Sequence, residues 1–258
     1  MKIYIIGAGP GDPDLITVKG LKLLQEADVV MYTDSLVNAD LIAKAKPEAE
    51  VILSAGMSLE EMVEVMVDRV KAGKMVARVH TGDPSVYGAI MEQAALLKRE
   101  GVSYEVIPGV SSVFASAAAI GAELTIPELT QTLILTRVEG RTPMPDREQL
   151  RDLAAHHCTL ALFLSATLTK KIVRELTEAG WSPQTPVAVV QRATWPDQLI
   201  VRSTLENLDA DMRANGIRSH AMILAGWALD PDIHSRDEYR SKLYDKTFTH
   251  GYRKGVKE

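Results

Sequence analysis

The sequence predicts an α/β protein: two α/β domains with a ligand cleft between them. Three observations point there. Short, nearly unbroken apolar runs alternate with helical patterns from the first residues onward. Stretches rich in Gly and Pro directly follow several of those runs. The chain has 258 residues, enough for one large domain or two modest ones.

The elements follow in order. "KIYII" (2–6) reads as a first strand, and "LITVKGLKLLQEA" (15–27) as a helix, with apolar residues at 15, 18, 21 and 24 on one face. Thr17 is placed as its N-cap, with Ile16 and Leu21 spaced as a hydrophobic staple. "DVVMY" (28–32), "EVIL" (50–53), "MVARVHTG" (75–82) and "SYEVIPG" (103–109) follow as strands. Among the helices between them, "SLEEMVEVMVDRVKAG" opens on a capping-box pattern, Ser58 to Glu61. Apolar strands separated by helices imply a parallel sheet covered on both faces.

The small-residue run 111–124 reads as a helix able to join two domains. Beyond it lie strands at 132–137, 158–165, 186–193, 198–204 and 221–229. "TWPD" separates the third and fourth of these and predicts an antiparallel hairpin, so the second half is a mixed α/β unit. The expected division is 1–113, 114–232 and a basic tail, 233–258.

Composition narrows the function classes. The net charge of −5 argues against a general nucleic-acid binder, which needs a basic surface. Residues 239–258 nevertheless hold six Lys/Arg against two acids, suiting either an anionic ligand or a solvated end. Cys158 is the only cysteine, so a structural thiol and a reducing cytoplasm are expected. His156 and His157 beside it lack a second ligand pair at metal spacing, and no metal site is expected. No apolar run is long enough to span a membrane. Trp181, Trp195 and Trp227 read as core or interface residues.

The loop "GAGPGDP" (7–13) resembles a phosphate cradle and fails as one. A dinucleotide fingerprint needs glycine at position 12, where the chain has Asp12, and no Gly-Lys-Ser/Thr follows for a P-loop. Asp12 and Asp14 would face a pyrophosphate while Pro13 offers no N–H. Two more loops of this character, "RVHTGDPSVYGA" (78–89) and "IPGVSS" (107–112), also follow strands. In a parallel sheet such loops gather along one edge. One carboxylate there, Asp83, suits a ligand bearing an amine or hydroxyls better than a polyphosphate; a solvated turn is the alternative.

With these residues in view, the chain resembles the tetrapyrrole methylases, S-adenosylmethionine (SAM) methyltransferases without a Rossmann glycine loop. "GAGPGDPDLITVKG", "VHTGDPSVYG" and "VIPGVSSVFA" match their motifs in order, and the likeness runs to about residue 230. "TQTLILTRVEGRTPMP" (130–145), "RATWPDQLIVRSTL" (192–205) and the tail "YRSKLYDKTFTHGYRKG" (239–255) are similar to the branch that methylates C-11 of precorrin-4 or cobalt-precorrin-4 in cobalamin synthesis. The resemblance implies the tetrapyrrole methylase fold and SAM contacts at Pro10, Gly82, Asp83, Val86, Ser111, Ser112, Leu164, Ala188 and Gly226. It implies an acid at Asp34 able to act as a base, a homodimer, and S-adenosylhomocysteine as product.

Such a substrate carries many carboxylates. Arg137, Arg141 and Arg192, with Asp12, are the residues expected to meet it, since Arg matches carboxylates in a bidentate way. Lys170 and Lys171 are candidates too, against a solvated helix face. The loop "TRVEGRTPMP", with one Gly and two Pro, reads as a lid. Methylases of the same fold acting on uroporphyrinogen, a diphthamide precursor or ribosomal RNA remain alternatives, as does a module that binds SAM or a tetrapyrrole without turnover.

Overall fold

The computed structural model describes residues 2–239 and 241–256; Arg240, Lys257 and Glu258 of the basic tail lie outside them. The chain divides into two compact units, one of residues 1–115 with 192–197 and the other of 116–191 with 198–258.

The first unit carries β1 (Ile3–Gly7), α1 (Val18–Glu26), β2 (Val29–Tyr32), α2 (Ala39–Ile42), β3 (Glu50–Leu53), α3 (Leu59–Lys71), β4 (Val76–His80), α4 (Ile90–Arg99) and β5 (Tyr104–Ile107). Its strands form one sheet in the order β3-β2-β4-β1-β5, every pair parallel. Because side chains alternate along a strand, Ile3 and Ile5 of β1 enter the core under α3 and α4 while Ile6 enters the core under α1 and α2.

Local chemistry fixes the helix starts. The Thr17 hydroxyl accepts from the Gly20 amide, and Ile16 and Leu21 pack into the same core. At α3 the Ser58 hydroxyl accepts from the Glu61 amide while the Glu61 carboxylate accepts from the Ser58 amide at 2.7 Å. That reciprocal pair satisfies two amides the helix cannot bond internally.

A helix, α5 (Ser112–Ala119), spans the boundary between the units. The second unit then holds β6 (Leu133–Arg137), α6 (Leu150–Ala154), β7 (Thr159–Phe163), α7 (Thr169–Glu178), β8 (Pro186–Gln191), β9 (Leu199–Thr204), α8 (Leu208–Ala214) and β10 (Ala221–Ala225). Its sheet runs β6-β7-β10-β8-β9; β6 and β7 are parallel and the other pairs antiparallel. The predicted hairpin is β8–β9, registered from Pro186 opposite Thr204 to Gln191 opposite Leu199. Leu160, Leu162, Ile172, Leu176, Val189 and Ile223 form the dry centre of this unit.

Cys158 is buried and burial raises its thiol pKa, which makes it a packing residue rather than a nucleophile. Trp181 is buried and donates from Nε1 to the Ala154 carbonyl at 2.8 Å. Of the two expected settings, core or interface, Trp227 does not occupy the core: it is 43% exposed, on the short turn after β10.

Candidate active site

At the carboxyl edge of the first sheet the three glycine loops converge. Gly9 and Gly82 exchange backbone hydrogen bonds, N–H of Gly82 to the Gly9 carbonyl at 2.8 Å and the reverse at 3.3 Å. The third loop closes on the same point so tightly that side chains are excluded. A Cβ on Gly109 would lie 2.1 Å from the Gly82 carbonyl oxygen, and one on Gly7 would lie 2.6 Å from Gly109 Cα. Glycine here is required by backbone packing against backbone.

Asp83 braces the second loop to the third. Its Oδ2 accepts from the Gly109 amide at 2.9 Å and its Oδ1 from the Ser85 amide at 2.8 Å. Partial burial opposes its charge, but those two amides outweigh burial and hold the carboxyl below the usual carboxylate range. Asp83 therefore shapes the edge, which sequence reasoning did not foresee.

Strain marks the same loops. Tyr87 and Ala89 are non-glycine residues at φ 55° and 49°, within the turn between Asp83 and α4. Left-handed backbone of this kind persists only where its surroundings impose it, and it clusters at functional sites. Val86 is half-buried in that turn, Ser111 is 6% exposed and Ser112 opens α5. Pro10 is buried, and its carbonyl accepts from the Trp195 indole at 3.0 Å. Asp12 is half-buried, and one of its oxygens accepts from the Asp14 amide at 2.9 Å. Asp34 is exposed in the turn after β2, at the same edge of the sheet because the strands are parallel.

Beneath this edge lies a buried cation that the sequence reading passed over. Arg78 on β4 is 4% exposed and donates to the Ser54 hydroxyl at 3.0 Å and the Met31 carbonyl at 3.4 Å. Burial lowers its pKa to about 10. His80, two residues on and therefore on the same sheet face, is pushed down to about 3 by burial and by the Arg78 charge. Its Nε2 is buried without a hydrogen-bond partner.

In the second unit, β6, β7 and β8 run the same way and deliver their carboxyl ends to one edge. Leu164 lies there, directly after β7, 73% exposed and at φ 52°. Left-handed backbone at a non-glycine residue is strained and persists only where its surroundings impose it. The other two contacts expected in this unit are placed differently. Ala188 is 1% exposed in the middle of β8, paired with Leu224 on one side and Arg202 on the other, so it presents no face to a ligand. Gly226 follows β10, which runs the opposite way, and packs beside Thr159 at the start of β7. Five strand residues separate that position from Leu164, roughly 16 Å at the rise of a strand. The structure does not bring Leu164 and Gly226 together.

The arginines also divide. Arg137 donates to the carbonyls of Thr142 and Pro143 at 3.2 and 2.6 Å, and so holds the expected lid loop in shape. Arg192 pairs with Asp197 at 2.7 Å and lies 4.0 Å over the Trp195 ring. Arg141 is exposed at the loop tip. Lys171 donates to the Glu139 carbonyl at 2.9 Å, within 3.6 Å of the Glu139 and Glu175 carboxylates, while Lys170 is exposed on α7. Among the described residues no cluster of His, Cys, Asp and Glu could hold a metal ion, and no helix is long and apolar enough to cross a membrane.

Comparison with known proteins agrees with this geometry. The profile of the tetrapyrrole (corrin/porphyrin) methylases matches residues 2–209. The chain is 73% identical over 257 residues to the cobalt-precorrin-4 C(11)-methyltransferase of Priestia megaterium, covering 100% of this chain and 99% of the relative. Identity to the protein of that name from Methanocaldococcus jannaschii is 52%, covering 100% and 98%. A solved structure of a cobalamin biosynthetic enzyme, cobalt precorrin-4 methyltransferase, superposes with a TM-score of 0.88 at 72% identity, over 89% of this chain and 96% of that one. Uroporphyrin-III C-methyl transferase from Thermus thermophilus, solved with S-adenosylhomocysteine, gives a TM-score of 0.74 at 32% identity, over 89% and 94%. The glycine-packed edge, the failed phosphate cradle and these matches have one reading: the chain belongs to the tetrapyrrole (corrin/porphyrin) methylases.

Proposed function

We propose that this chain is a SAM-dependent C-methyltransferase that methylates C-11 of cobalt-precorrin-4 in cobalamin synthesis. Likeness over the whole chain to methyltransferases of that name carries the reading, at 73% and 52% identity. The loops fit the donor. They converge through backbone groups and one carboxylate, with no basic side chain in "GAGPGDP" or "TGDPSVYGA" to hold a polyphosphate.

SAM supplies a methyl group already activated on a sulfonium, so the protein's contribution is alignment and exclusion of water. In-line orientation of this kind is worth up to about 7–11 kcal/mol. Pro10, Gly82, Asp83, Val86, Ser111 and Ser112 are proposed as the donor contacts of the first unit. Leu164, exposed and at φ 52° after β7, is proposed as a donor contact on its own placement. Ala188 and Gly226 drop out of the proposal on the placements above. Asp34, exposed after β2, is proposed to accept the proton released as charge redistributes in the macrocycle. For the substrate carboxylates Arg141 is the foremost candidate, since Arg137 and Arg192 have their guanidinium groups engaged. Asp12, with one oxygen capping the turn, is assigned to the substrate side as well. The donor loops fall in 1–113, with 114–232 a second domain and 233–258 a basic appendage. A cytoplasmic homodimer completes the proposal.

The test is uptake of label from methyl-labelled SAM in parallel incubations with cobalt-precorrin-4 and uroporphyrinogen III. Label should enter the first and not the second. Transfer to uroporphyrinogen alone would overturn the substrate assignment.

A further inference from the structure

The turn between β8 and β9 has a role that its expected part in binding substrate does not explain. Residues Arg192–Asp197 group with the first unit and grip its first loop on both sides of Gly11. The Trp195 indole donates to the Pro10 carbonyl at 3.0 Å, and the Thr194 hydroxyl accepts from the Asp12 amide at 2.9 Å. The Asn38 amide adds a third anchor, donating to the Gly11 carbonyl at 3.0 Å. Gly11 itself lies so close to the indole that a Cβ there would stand 2.1 Å from Trp195 Cδ1.

The gripping turn is itself held. Arg192 lies over the indole ring at 4.0 Å and pairs with Asp197 at 2.7 Å. Arg192 and Thr194 adopt φ 49° and 69°, and the Trp195 amide closes the turn on the Arg192 carbonyl at 3.0 Å. Two strained non-glycine residues and an ion pair over an aromatic face are more than a hairpin turn needs. They present one indole N–H and one hydroxyl to Pro10 and Asp12, on either side of Gly11.

We propose that Thr194 and Trp195 form a clasp that pre-orders the Pro10–Asp12 segment for SAM, with Trp195 a positioning residue for the donor. This rests on the reading of that loop as a donor loop. A loop of such composition loses backbone freedom when it binds, and fixing it beforehand removes that cost from the binding step. The clasp's hydrogen bonds fall on the Pro10 carbonyl and the Asp12 amide, not on the Asp12 carboxylate assigned to the substrate.

The test uses the full-length protein, wild type and the variants Trp195→Phe, Gly11→Ala, Thr194→Val and the Trp195→Phe/Gly11→Ala double. SAM binding is read by calorimetry, and kcat and KM for both substrates by methyl transfer to cobalt-precorrin-4. Trp195→Phe keeps the ring under Arg192 and removes one N–H, so Kd and KM for SAM should rise by about tenfold. At saturating SAM, kcat and the KM for the tetrapyrrole should stay within about twofold of wild type. Gly11→Ala should give the same split by displacing the ring, and the double variant should be no weaker than the worse single, since both break one contact. Thr194→Val should weaken SAM binding on its own and serves if the indole variant does not fold. Variants that melt earlier yet bind SAM within about twofold of wild type would overturn the clasp, leaving only a structural turn. Wild-type protein that fails to bind SAM would instead remove the donor-site reading, and the clasp with it.

Discussion

Replacing Asp83 by Asn tests how the donor edge is built. The carboxylate accepts from two amides, Ser85 at 2.8 Å and Gly109 at 2.9 Å, and an asparagine has one oxygen for the pair. If that oxygen stays on Ser85, the side-chain NH2 faces the Gly109 amide, donor against donor. Hydrogen bonds to charged groups contribute about 1.5–3 kcal/mol each, and half-burial places Asp83 toward the lower end. We expect Asp83→Asn to lower unfolding stability at pH 7 by about 2 kcal/mol in urea titrations and to weaken SAM binding by about tenfold. The pH dependence carries a sign. Because the folded pKa lies below its unfolded value, this stabilisation is present above the ordinary aspartate range and is lost as pH falls through the folded value. The gap between wild type and variant should therefore close on acidification below about pH 4. A variant within about 0.5 kcal/mol of wild type at pH 7, or a gap that persists unchanged at pH 3, would refute the brace.

Three further outcomes follow from the same geometry. His80 is held near 3 against an ordinary value of 6.5, so the folded state rejects its proton. Its penalty should be absent above pH 6.5 and should grow as pH falls toward 3, and His80→Gln should flatten the stability profile across that window in urea titrations at stepped pH. Gly109→Ala would drive a Cβ to 2.1 Å from the Gly82 carbonyl and should cost about 3 kcal/mol, whereas Gly56→Ala, which meets nothing within 4 Å, should shift stability by less than about 0.5 kcal/mol in thermal melts. Leu164→Gly relieves a left-handed leucine at φ 52° and should raise stability by up to about 1 kcal/mol while weakening SAM affinity in calorimetry.

The first sheet was legible because its order of strands and helices, its apolar runs and its capping box are all local in sequence. Ser58 and Glu61 sit three residues apart, and the glycines that pack at Gly82 each lie at a strand's end or within two residues of it. Ala188 and Gly226 stand apart from Leu164 for different reasons: Ala188 is buried in the middle of β8, and Gly226 follows a strand that runs the other way. The sheet's mixed character was foreseen, but which edge Gly226 reaches depends on where β10 inserts, and no local pattern encodes that β10 runs between β7 and β8. The Trp195 grip was hidden for the same reason, since its partner Pro10 stands 185 positions away. Arg78 was overlooked because one arginine does not disturb an apolar strand pattern; only the parity of β4 turns it inward, toward the face that Val76 shares with α3 and α4. The arginines expected to meet substrate show the limit of reading charge alone. The sequence supplies the cations, and only the fold reveals that Asp197 and the carbonyls of Thr142 and Pro143 already engage two of them.

The most direct test of the central claim is the position of the transferred methyl group. Incubation of the protein with SAM carrying a carbon-13 methyl and with cobalt-precorrin-4, followed by NMR of the product, reads it at once. The account predicts a single enriched methyl bound to C-11. Enrichment at any other ring carbon, or tight SAM binding with no transfer to this macrocycle, would contradict it.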